Sequence, residues 1–299
     1  MLVLRRQGGV DTRDPDTCGQ VLRYNEAIMP LGRITIVCFA ASYGVALGLE
    51  LIQLGWPRPI YRVVCALFAS AGLLAHTLYL LVQRPSLASQ FGLLLFLGWI
   101  LAVYYLAGSL HHRRQARGIF VLPVLLGLTI LAGLTGPGTG AVTKDMEADA
   151  LPGELFWGYL HAGFLLLAAV GICVGFVASV MYLVQMRQLR AKTAHGLRLP
   201  SLESLERMNR WAINLAFPLL TGGVCIGAGL MFLGTNQVLS WSDPRIWGAV
   251  ILWGIFALLL YMRYGYHLTG RRLAQLTIVA FVLLIFTLVS SHDFVRGSP

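Results

Sequence analysis

The stretch Leu155-Phe156-Trp157-Gly158-Tyr159-Leu160-His161-Ala162-Gly163-Phe164-Leu165-Leu166-Leu167-Ala168-Ala169-Val170-Gly171-Ile172-Cys173-Val174-Gly175-Phe176-Val177-Ala178-Ser179-Val180-Met181-Tyr182-Leu183-Val184-Gln185 decides the fold class. It contains no Asp, Glu, Lys or Arg. A run this apolar satisfies its own backbone in lipid only as a helix, and about 20 residues suffice to cross the hydrocarbon core. Runs of the same character occur at 34–53, 62–83, 91–110, 118–134, 211–234, 246–262 and 272–291. Together they predict an all-α, polytopic membrane helical bundle of about eight transmembrane helices.

Composition points the same way. Of 299 residues, 57% are apolar or aromatic and 12% charged, with a mean hydropathy of +0.71. Soluble domains carry about 25% charged residues, so this surface cannot be wetted all round, which excludes an ordinary soluble enzyme. The net charge of +10 does not indicate nucleic acid, because the basic residues sit in short connections and form no long stripe. Cys18, Cys38, Cys65, Cys173 and Cys225 are scattered without a Cys-x-x-Cys pair, which supports neither a disulfide framework nor a thiolate metal site. Residues 1–33 form a polar tail without the apolar centre of a signal peptide, and Met29 is an alternative start. Residues 34–292 then read as a single transmembrane domain and 293–299 as a short C-terminal tail.

Eight spans put both termini on one side. With the termini outside, the inner connections hold 14 basic residues and the outer connections with the C-terminus hold 4. The positive-inside rule therefore places both termini on the outer, periplasmic or extracellular side of a bacterial cell (inner) membrane. The arginines of the N-terminal tail oppose this and are partly offset by Asp11, Asp14, Asp16 and Glu26. The outer connection 135–154 carries helix-breaking Gly136-Pro137-Gly138 and the acids Asp145, Glu147 and Asp149. In the inner connection, Ser201 is placed to cap a short surface helix bearing Leu202, Leu205 and Met208 that leads into span six. The pairs Gly44/Gly48, Gly171/Gly175 and Gly223/Gly227 have the spacing that lets membrane helices approach closely.

Topology sorts the seven histidines. His111, His112, His195 and His267 fall in or beside basic connections, where solvated interfacial imidazoles are ordinary. His76 lies deep in span two. At that depth it is either a functional group or a neutral imidazole hydrogen-bonded to a neighbouring helix. Glu50, near the inner end of span one, reads as a proton or ion group, or as a side chain snorkelling to the headgroups.

His161 and His292 stand near the outer ends of spans five and eight, with Trp241-Ser242-Asp243-Pro244-Arg245-Ile246-Trp247 between them in sequence, outside span seven. Two imidazoles at similar depth, indoles between them and a guanidinium suit a haem, with His161 and His292 as axial ligands and Arg245 against a propionate. The same residues also suit an ordinary membrane-interface belt, and both readings stand.

From His161 to His292 the chain resembles the cytochrome c assembly family, in its CcsA/HemX-like branch of membrane haem-handling proteins. The resemblance rests on Leu160-His161-Ala162-Gly163-Phe164, Met181 to Arg187, Leu199 to Asn209, Phe217-Pro218-Leu219-Leu220-Thr221, the Trp241 to Trp247 loop and Gly270-Arg271-Arg272. Weaker similarity extends through Gly118 to Pro123 and the His76 region, about 260 residues in all. It implies a haem-contacting loop at Trp241, Asp243 and Pro244 flanked by the ligands His161 and His292. It also implies bound haem b, delivery of haem to apocytochrome c, and a possible second membrane assembly subunit. The chain departs from the family's Trp-Gly-x-x-Trp-x-Trp-Asp-Pro pattern: no tryptophan stands in 234–240, and Ser242 separates Trp241 from Asp243. Tyr261 takes a place late in span seven where assembly members often carry a histidine. These departures leave open a HemX-like regulator of haem synthesis, and Pro123 and Pro218 within spans leave a small-solute transporter as a third reading. No catalytic grouping or phosphate-binding loop is evident, which favours a delivery factor over an enzyme.

Overall fold

The computed structural model describes residues 35–56, 58–87, 89–111, 118–136, 152–191, 199–233, 244–266 and 270–290. They form eight α-helices and, among the described residues, no strand. These are α1 (Ile36–Gly55), α2 (Pro59–Gln83), α3 (Gln90–His111) and α4 (Gly118–Thr135), followed by α5 (Pro152–Ala191), α6 (Leu202–Leu233), α7 (Pro244–Tyr264) and α8 (Arg271–Ser290). All eight are long and apolar enough to cross a membrane, so the chain is a multi-pass membrane protein. The face reached by the α1–α2, α3–α4, α5–α6 and α7–α8 connections is called the basic face below, and the other the opposite face.

The helices pack as two quartets. In the first, α1 contacts α2 and α4, and α3 contacts the same two; in the second, α5 contacts α6 and α8, and α7 contacts those two. Contacts of α5 with α3 and α4 join the quartets. At the opposite face Gln90 at the start of α3 donates to the Leu288 carbonyl of α8. Towards the basic face Tyr104 of α3 reaches Met208 Sδ of α6 at 3.3 Å. Large apolar side chains such as Leu67, Leu74, Leu134, Phe232 and Phe286 point outwards, as lipid-facing residues do.

Packing density follows the small residues. A Cβ on Gly171 would lie 3.0 Å from Ala216 Cβ, and one on Gly223 would lie 2.8 Å from Leu165 Cδ2, so α5 and α6 are in close contact along these glycines. The third pair behaves differently. Gly44 and Gly48 face open space, because helical phase turns them away from α2 and α4. Indole and amide groups tie the second quartet further: Trp253 donates to Thr221 Oγ1 at 3.0 Å, and Asn214 donates to Tyr264 Oη at 2.8 Å.

Two helices run longer than the apolar pattern indicates. The 40 residues of α5 span about 60 Å, roughly twice the hydrocarbon thickness, so the helix projects from the membrane. The short surface helix expected before span six is instead the first two turns of α6 itself. Ser201 Oγ caps its start, accepting from Ser204 N–H at 3.3 Å. Nothing between Asn209 and Trp211 breaks a helix, and Leu205 is buried. Before α8, Gly270 adopts a positive φ of 75° with the Tyr182 hydroxyl 2.6 Å from where a Cβ would sit; both features demand glycine.

Candidate functional site

His161 sits on α5 against α6. Its Nδ1 lies 2.7 Å from the Gly223 carbonyl oxygen. A carbonyl only accepts, so Nδ1 carries a proton, and in the neutral ring the lone pair belongs to Nε2. Gly227, one turn along α6, gives the ring its seat: a Cβ there would stand 2.7 Å from Cε1 and 3.0 Å from Nδ1. Gly223 and Gly227 thus form a cradle that fixes both the tautomer and the plane of the imidazole. Backbone carbonyls hold metal-binding histidines in this way, and the arrangement fits an axial ligand to haem iron.

Two contacts set the register of α5 and α8. Gly175 lies against Thr277, and Phe176 stacks on Phe281 with centroids 3.9 Å apart. Counting about 1.5 Å per residue from either contact, the end of α8 at Ser290 comes within about 2–9 Å of the height of His161. His292 lies outside the described residues, two positions past that end. Trp241 and Asp243 also lie outside them. Pro244 begins α7 and Arg245 follows in its first turn, while Trp247 is 58% exposed on α7. Tyr261 is exposed and packs edge-on with Tyr266.

His76 belongs to the first quartet and to another depth. Its ring lies 3.6 Å from where a Gly98 Cβ would be, eight residues inward of Gln90, which is level with Leu288. His161 lies outward of Leu288 by the α5–α8 register, so the two imidazoles differ in height by on the order of 20 Å. They cannot share one metal.

The setting of His76 is aromatic and dry. The residue is fully buried, its ring stacked on Phe39 at 4.2 Å and its Nδ1 3.4 Å from the Tyr43 hydroxyl. Tyr79 meets Phe39 edge-on. The Leu95 backbone is near the ring, yet Nε2 has no partner of hydrogen-bonding geometry. A polar atom buried without a partner costs about 1–3 kcal/mol, so this is not a fully satisfied core histidine. A cavity of about 310 Å³ opens at the opposite face between Leu80, Arg84, Ser86, Phe96 and Tyr159. Tyr159 is two residues from His161, which puts the cavity on the other side of α5 from the glycine cradle.

Sequence reading singled out His76 and His161 but missed their surroundings. Gly223 and Gly227 carried a signal only for packing, and Phe39 and Tyr43 carried none beyond an apolar helix phase shared with Ala46.

The fold is that of a polytopic membrane protein, an all-helical bundle with one imidazole cradled near a membrane face and a second buried in its interior. Residues 87–294 match the cytochrome c assembly protein family, and the chain belongs to that family. It is 24% identical over 258 residues to the cytochrome c biogenesis protein CcsA of Gloeobacter violaceus, covering 68% of this chain and 74% of that one. A CcsA of Microcystis aeruginosa is 25% identical over 237 residues, covering 64% and 71%. Protein HemX of Brevibacillus brevis is 28% identical over 218 residues, covering 68% and 75%. No solved structure matches the chain.

Proposed function

We propose that this protein acts in cytochrome c biogenesis, binding haem b at the outer face of a bacterial cell membrane and presenting it to apocytochrome c. His161 and His292 would supply the imidazoles that hold it. Trp241, Asp243, Pro244 and Trp247 would contact the haem, and Arg245 would pair with a propionate. Bound haem supplies the vinyl groups to which an apocytochrome's thiols become attached. This chain's own residues bind it, orient it and keep it at the membrane surface.

The observation that carries this reading is the Nδ1 hydrogen bond of His161 to the Gly223 carbonyl over the bare Cα of Gly227, which orients the ring and assigns Nε2 the lone pair of the neutral imidazole. The family and the CcsA relatives support the cytochrome c role. The 14-to-4 bias of basic residues supports an outward histidine face. His76, with its unpartnered Nε2, is a second position for the same ligand deeper in the membrane.

The test is the haem content of the purified full chain. Wild-type protein carries or takes up b-type haem, detected as its pyridine haemochrome, and His161→Ala and His292→Ala each weaken retention. Unchanged retention in both variants overturns the site. A second reading, control of haem synthesis, is favoured by the HemX relative and by the outward-facing Tyr261. It predicts altered tetrapyrrole levels with normal cytochrome c when residues 192–198 are replaced.

A further inference from the structure

Glu50 stands on α1 towards the basic face, far from either histidine. Its position on an apolar helix suggested a carboxylate reaching for the headgroups, but it turns inwards. Tyr105 of α3 donates its hydroxyl hydrogen to Glu50 Oε1 at 3.0 Å. Cys65 of α2 directs its thiol at the same oxygen from 3.9 Å and lies 3.2 Å from the Tyr105 hydroxyl. The first residue of α4, Gly118, closes over the carboxyl group: a Cβ there would be 2.7 Å from Glu50 Cδ and would overlap Oε1. Four helices therefore meet at one carboxyl group.

The group is not sealed. A cavity of about 20 Å³, the room one water needs, is lined by Glu50, Tyr104, Tyr105, Gly108, Ser109, Gly118 and Val121. It is partly open and lies beside the ends of α3 and α4, towards the basic face. The titratable and charged groups that act on Glu50 are Arg62 and Cys65 from α2 and Tyr105 from α3, while Tyr104 lines the cavity beside it. From α4 come Gly118 and Val121, which do not titrate.

The chemistry of the set selects the ligand. Tyr105 donates to Oε1, while the Cys65 thiol stands 3.3 Å from the Ala46 carbonyl and 3.9 Å from Oε1. Among the described residues no group of three His, Cys, Asp or Glu side chains gathers that could hold a metal ion. The second oxygen, Oε2, has no hydrogen-bond partner recorded among these contacts and belongs to the group that borders the cavity. We propose that Glu50 is a proton-exchange site of the basic face: its carboxyl group, held by Tyr105 and Cys65 under Gly118, takes up and releases a proton through the one-water cavity. The site goes beyond haem binding and stands without it. It couples the proton activity on that side of the membrane to the junction of α1, α2, α3 and α4.

Reaction with a lipid-soluble carbodiimide tests this directly, because the reagent attacks carboxyl groups in their protonated form. Membranes holding the full chain are treated with dicyclohexylcarbodiimide from about pH 5 to about pH 9 and the adduct is located by peptide mass spectrometry. Glu203, 86% exposed, reports access by a water-soluble carbodiimide in parallel. The expected result is an adduct at Glu50 that falls as pH rises and is absent from Glu50→Gln. In Tyr105→Phe the carboxylate loses its hydrogen-bond donor, so the midpoint moves upwards by about one pH unit, a tenfold change in proton concentration. No adduct at any pH, a yield that does not vary with pH, or a midpoint unmoved in Tyr105→Phe overturns the proposal. Protection by zinc with no pH dependence overturns it in favour of a metal site.

Discussion

Replacing Gly227 by alanine tests the cradle without touching either histidine. The new Cβ would stand 2.7 Å from His161 Cε1 and 3.0 Å from Nδ1, whereas carbon contacts settle at about 3.5–4.0 Å. The ring must therefore retreat by about 1 Å. The Nδ1 to Gly223 oxygen distance, 2.7 Å now, then leaves the hydrogen-bonding range. Losing such a bond costs about 0.5–1.5 kcal/mol, which is roughly 2- to 13-fold in affinity. Losing a ligand's orienting partner in metal sites costs about 10- to 100-fold, so about tenfold is the expectation where the ranges meet. The assay is a titration of the purified protein with haemin, followed by absorbance, beside Gly44→Ala as a control. Gly44 faces open space, so its variant should bind as wild type does. If Gly227→Ala binds haemin as tightly as wild type with the same spectrum, the cradle does not position a haem ligand and the reasoning fails.

Added imidazole should restore haem binding to His161→Gly, where it can occupy the vacated space beside Gly227, but not to a variant whose bundle has collapsed; absorbance titration distinguishes the two. Glu206→Ala removes the partner of Arg263, whose guanidinium is buried and lies 3.7 Å from the carboxylate, and should lower thermal stability by about 1–3 kcal/mol, discounted for the partial exposure of Glu206. The surface pair of Glu203 and Arg207 has the same separation of 3.7 Å but is solvated, so Glu203→Ala should change stability by less than about 0.5 kcal/mol. A fluorescence melt of the detergent-solubilised protein compares the two, and equal effects would contradict the burial argument. Gly270→Ala should destabilise more than Gly44→Ala in the same melt, since it meets the Tyr182 hydroxyl and holds a positive φ. Tyr182→Phe should recover only the part due to the hydroxyl.

The eight spans were legible because lipid permits few ways of satisfying a backbone, and their ends were legible only to within a few residues. Arg207 and Arg210 marked the edge of the apolar pattern, but they mark where lipid ends and not where α6 ends; a helix crosses that boundary wherever nothing breaks it. Glycine spacing foretold close packing at Gly171/Gly175 and Gly223/Gly227 and misled at Gly44/Gly48, because spacing does not say which side a neighbour occupies. Helical phase supplied what spacing lacked. Glu50 follows buried Tyr43 and Ala46 by seven and four residues, which places it on the packed side of α1 and argues against snorkelling. His76 falls in phase with buried Cys65, Ala69, Gly72 and Tyr79. Its height relative to His161 was not legible, since depth depends on register between helices that no local pattern encodes. Nor was the Gly223 carbonyl, a backbone acceptor available at any residue.

The central claim is that His161 and His292 both bind one iron, and electron paramagnetic resonance of the ferric haem-loaded protein tests it most directly. The account predicts a low-spin signal of two axial imidazoles in wild type that gives way to high-spin iron, or to loss of haem, in His161→Ala and in His292→Ala. A low-spin signal that survives both single substitutions unchanged would contradict it.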